Sequence, residues 1–94
     1  MERFEVGMLA ASKAGHDKDG LYVIIRVEKE YVYLVNGKSR TFDNPKRKNK
    51  KHIQIVKHVD EELQKKLIEN NKIQNEEVKR VIKLYCLKRI NEVD

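Results

Sequence analysis

Apolar positions fall in short runs divided by turn residues up to about residue 59, and beyond it they recur every three or four residues. Residues 6–12 are a short apolar stretch, followed by the turn-rich Lys-Ala-Gly-His-Asp-Lys-Asp-Gly at residues 13–20. Residues 21–27, Leu-Tyr-Val-Ile-Ile-Arg-Val, are dense in β-branched and aromatic side chains, which suit a pleated, half-buried strand. A tight turn at Glu28, Lys29 and Glu30 leads into a further strand over residues 31–35. That strand ends at Asn36-Gly37, the strongest short hairpin signal in the chain, which predicts a returning strand over residues 38–42. Pro45 has no amide to donate and biases Asn44 away from helix, so residues 43–45 break the pattern. A basic stretch at residues 46–52 then connects to an alternating strand over residues 52–56. Five short strands joined by tight turns suit a small barrel, because closure removes sheet edges.

The second part of the chain predicts helices. Asp60 is placed to cap a helix whose first turn holds Glu61 and Glu62, where the backbone dipole favours negative charge. Leu63 and Leu67 lie one turn apart on its face. Residues 70–72, Asn-Asn-Lys, break that helix, and Asn75 is placed to cap a second one carrying Val78, Val81, Ile82 and Tyr85. The apolar face over residues 76–90 needs the barrel wall, the first helix, a protein partner or a second copy of the chain. The expected fold is mainly β with an α-helical C-terminal tail: a five-stranded barrel over residues 1–58 and a helical extension over 59–94.

Charge sharpens this division. The chain carries a formal +6, which favours an anionic partner. Residues 1–59 hold 13 Lys/Arg against 7 Asp/Glu, whereas residues 60–94 hold 8 of each, so the whole excess belongs to the strand-rich part. Cys86 is the only cysteine, which excludes an intramolecular disulfide, and its apolar neighbours predict a buried, inert thiol. The first residues lack a signal-like apolar stretch and no run reaches membrane-spanning length, so a cytoplasmic protein is expected.

The loop at residues 13–20 joins two apolar strands, and Gly15 and Gly20 would let its backbone turn sharply and present amides. Lys13, His16 and Lys18 would then project towards phosphates or base edges. Residues 6–25, with Gly15 at the key position, resemble the KOW motif of transcription elongation factors and large-subunit ribosomal proteins. The resemblance extends through Val-Asn-Gly-Lys-Ser-Arg at residues 35–40 and the Asn-Pro-Lys-Arg-Lys run starting at residue 44. In that longer form, over roughly residues 4–57, the chain resembles a bacterial family of short KOW-domain proteins. That family is itself similar to KOW-containing large-subunit ribosomal proteins of archaea and eukaryotes. The resemblance implies an SH3-like barrel and an RNA-binding role in translation, on ribosomal RNA or the ribosome.

The expected RNA-binding residues are Lys13, Gly15, His16 and Lys18 of the first loop, Arg40, and Lys46, Arg47, Lys48, Lys50, Lys51 and His52 of the basic stretch. Tyr22, Tyr31, Tyr33 and Phe42 could stack on unpaired bases, although Tyr31 and Tyr33 alternate onto the face of Val35, which predicts core packing for that pair. His16, His52 and His58 lack acidic or thiol partners at zinc spacing, so neither a metal nor another cofactor is expected. Nucleophile-elbow, Walker and His-Glu-x-x-His signatures are absent, so no enzymatic activity is expected. The alternative is a protein-interaction adaptor that uses the barrel and the apolar face of the last helix.

Overall fold

The uninterrupted apolar run at residues 21–25 becomes β2 (Leu21–Val27), the centre of a five-stranded antiparallel sheet. The computed structural model describes residues 3–13, 20–70 and 72–92. The other strands are β1 (Met8–Ser12), β3 (Tyr31–Val35), β4 (Lys46–Asn49) and β5 (Ile53–Val59), in the order β4-β3-β2-β1-β5. The sheet curls into a small SH3-like half-barrel, and a 3₁₀ turn over Lys50–His52 carries the chain from β4 to β5. Two helices follow, α1 (Glu61–Ile68) and α2 (Asn75–Glu92).

The run in β2 does not alternate because both of its faces are covered. Ala10, Tyr22, Ile24, Val32, Leu34 and Ile53 fill the concave side of the sheet. Leu9, Val23 and Val35 point the other way and meet Leu63 of α1 and Val78 and Val81 of α2. The apolar face of α2 therefore takes the barrel wall as its partner. Burying each of these helix residues is worth about 1.5–3 kcal/mol, enough to hold short helices that would be marginal alone. Leu84 and Leu87 stay outside this core, 53% and 48% exposed. Cys86 is exposed as well, contrary to the buried thiol its neighbours suggest: the helical period sets it on the flank of α2 with Lys79, Ile82 and Lys83, beside the packed face rather than in it.

Two glycines mark where the helices touch the barrel. Gly7 has φ +95°, and a Cβ there would stand 2.8 Å from the Cβ of Gln64 in α1. Gln64 in turn donates its side-chain amide to the Val6 carbonyl at 2.9 Å. Gly37 has φ +80°, and a Cβ there would stand 2.5 Å from the Asn75 carbonyl oxygen at the start of α2. Both glycines are in left-handed backbone.

Three local expectations need correction. The chain does not return as a strand after Asn36-Gly37. The Asn36 Oδ1 accepts from the amides of Lys38 and Arg40 at 2.8 and 2.9 Å, occupying donors that a returning strand would need. The strand that pairs with β3 is the basic segment itself, placed at a sheet edge, where lysines are well tolerated. Finally, Asp60 caps α1 through Leu63, but Asn75 does not cap α2: it is the first helical residue, and its buried Oδ1 accepts no hydrogen bond.

Candidate nucleic-acid interface

Because the basic segment is a strand, its side chains alternate between two faces of the sheet. Arg47 points outward beside the tyrosines of β3, while Lys46 and Lys48 share the opposite face with Leu34 and Val32. Lys46 is half-buried, its ammonium 5.8 Å from the Tyr22 ring centroid. Partial burial, and then the neighbouring Lys48 charge, hold Lys46 below the usual lysine pKa. An anion placed between the two would relieve that repulsion. Tyr22 itself is only 4% exposed, which removes it as a stacking surface.

Antiparallel pairing decides which loops meet. Ala11 pairs with Leu21, Val23 with Val35, Leu34 with Lys46, and Ser12 with Ile53. The β1–β2 loop and the β3–β4 connection therefore leave the same end of the sheet, while the start of β5 lies against the end of β1. Beyond Ser12 the Lys13 amide donates to the His52 carbonyl at 2.8 Å, joining the stem of the first loop to the end of the basic segment. Lys13, His52 and Lys51 are exposed. Gly15, His16 and Lys18 lie outside the described residues. Arg40 is half-buried in the β3–β4 connection, its carbonyl accepting from the amides of Asn36 and Gly37.

Lys50 has other partners. Two residues before His52 in the same 3₁₀ turn, its amide donates to the Glu30 carbonyl and its ammonium to the Lys29 carbonyl at 2.9 Å, so this turn bridges the β2–β3 turn and the Lys13 stem. The same ammonium lies 5.4 Å from the Phe4 ring centroid, so this cation braces the β2–β3 turn. The expected cations are thus divided between the two faces of the sheet and the 3₁₀ turn that follows β4.

The shared loop end has a feature that sequence reasoning missed. An open groove of about 580 Å³ runs between Gly20 and Leu21, the Asn36–Lys38 turn, and Lys79, Ile82, Lys83 and Cys86 of α2. Lys38, Lys79 and Lys83 ring an apolar floor there. Their signal was present, since Lys79 and Lys83 lie one turn apart on a helix, but summing charge over the whole tail concealed it. Residues 75–92 carry five basic and three acidic side chains, whereas residues 60–69 carry two basic and four acidic. A smaller recess beside the groove, lined by Phe42, Asp43, Lys72 and Glu76, gives the cationic end an acidic border.

Among the described residues no group of His, Cys, Asp and Glu is arranged to hold a metal ion, and no helix is long and apolar enough to cross a membrane. Fold and surface together define a small SH3-like half-barrel with three lysines ringing a groove between its Asn36–Lys38 turn and α2. Compared with models of known protein families and with characterised proteins, the chain matches none.

Proposed function

We propose that this protein is a non-catalytic RNA-binding protein that neutralises phosphates at the loop end of its barrel. The observation that carries this reading is the groove ringed by Lys38, Lys79 and Lys83, which opens beside Leu21 at the base of the β1–β2 loop. Lysines from two separate stretches of sequence line this groove, a cationic surface that can follow an RNA backbone and position it without reading its bases. That the RNA is ribosomal, or carried on the ribosome, follows from the resemblance to KOW-containing ribosomal proteins. Exposed Leu84 and Leu87 favour a second role for α2 in contacting a protein neighbour.

Salt dependence tests the main reading. About five phosphate contacts predict a slope of roughly −3.5 in log K against log salt on a single strand, and roughly −4.5 on a B-form duplex. Affinity that stays flat between low and moderate salt would overturn it.

A further inference from the structure

On the outer face of β2, β3 and β4, two tyrosines are paired with two arginines. Tyr31 and Tyr33 are half-buried, on the face of Val35 but outside the core that Val35 enters. They are surface residues, not the core pair that alternation suggests. Arg47 sits opposite Tyr33 in the ladder and reaches diagonally, its guanidinium carbon 3.8 Å from the Tyr31 ring centroid. Arg26 sits opposite Tyr33 on the other side, 5.4 Å from that ring. This pairing depends on the irregularity between Ile24 and Arg26, which shifts the register so that Arg26 faces outward.

The two arginines differ in their commitments. Arg26 holds Glu28 at 3.1 Å. Among the described residues the Arg47 side chain makes no ion pair or hydrogen bond; it is exposed and lies close over its tyrosine. A guanidinium backed by a ring keeps its opposite plane and its edge donors open. A base can lie on that plane while the edge donors reach a phosphate.

We propose that this face is a stacking platform for unpaired bases, with Arg47 on Tyr31 as the principal plane and Arg26 on Tyr33 as the second. This rests on the RNA-binding reading and adds the class of RNA. Arg47 on β4 and Arg26 on β2 flank Tyr33 of β3, two strand spacings or roughly 10 Å apart, while neighbouring bases in a duplex rise about 3.4 Å. Consecutive bases on the two planes must therefore be splayed apart, which a single strand permits and a duplex does not.

The test measures binding of the full chain, by fluorescence anisotropy, to a short mixed-sequence RNA strand, to the same strand annealed to its complement, and to an abasic strand of equal length. Arg47→Lys keeps the charge and removes the plane. The native chain should bind the single strand about ten-fold more tightly than the abasic one. R47K should lose most of that preference while its affinity for the abasic strand stays within about two-fold. If R47K matches the native chain on the single strand, or if the abasic strand binds equally well, the platform is refuted and the phosphate reading stands. If none of the three is bound, both readings fall.

Discussion

Replacing Gly37 with alanine probes the joint between the barrel and α2. An L-residue at φ +80° carries a strain of about 1 kcal/mol. The added Cβ would also stand 2.5 Å from the Asn75 carbonyl oxygen and 2.8 Å from the Lys79 Cγ. The lysine stem can turn aside, but the carbonyl belongs to the backbone at the helix start, so α2 must shift. Overpacking of this kind costs about 1–3 kcal/mol, for a total of about 2–4 kcal/mol. Lifting α2 away altogether would expose Val78 and Val81, at about 3–6 kcal/mol for the pair. The smaller figure wins, so the helix should tilt and stay docked. At about 4–8 °C per kcal/mol in a domain of this size, the melting midpoint should fall by about 10–30 °C. Urea and thermal unfolding followed by far-ultraviolet circular dichroism, with tyrosine fluorescence alongside, measures this. Coincident transitions at lowered stability are the expected result. A loss below about 0.5 kcal/mol would mean that α2 does not rest on Gly37, and the groove formed by Lys38, Lys79 and Lys83 would lose its basis.

Asp60→Ala removes the acceptor for the Leu63 amide, 3.0 Å away, and should cost about 1 kcal/mol in chemical denaturation, with helical signal lost first. Lys66 of α1 donates to Glu77 of α2 at 2.9 Å, and this hydrogen bond raises the Lys66 pKa above the usual lysine value. Its contribution to stability is therefore present in full below pH 10.5 and lost as pH rises through the folded-state value. The stability difference between the native chain and Glu77→Gln should accordingly hold steady below about pH 10 and shrink as pH rises past 10.5 in paired urea titrations; a difference that stays constant above pH 10.5 would exclude the linkage.

The strands that sequence pattern located best were those whose apolar residues decide the matter alone. The ranges expected for β2 and β3, residues 21–27 and 31–35, are the ones observed. The fourth strand was misplaced because Lys-Arg-Lys-Asn has no apolar residue to mark a face. Its pairing is set by the partner strand and by a side-chain turn at Asn36, neither visible in local composition. The same misplacement hid the two faces of the basic segment, and with them the split between Arg47 and the flanking lysines. Tyr31 and Tyr33 were assigned to the right face, but sequence cannot say how far two helices extend over it. The charge excess of the barrel was legible from the outset, while Lys79 and Lys83 were hidden by the acidic first helix that precedes them.

The lysines of β4 have a second consequence. The sheet order leaves β4 and β5 at its two margins, and among the described residues no ladder joins them. A margin of unsatisfied amides and carbonyls invites strands from other chains, and positive charge in a row repels any copy that tries to add itself there. Neutralising Lys46, Arg47 and Lys48 together would therefore remove a safeguard against self-assembly along with any hold on polyanions. Charge-conserving exchanges are the cleaner way to separate these two duties.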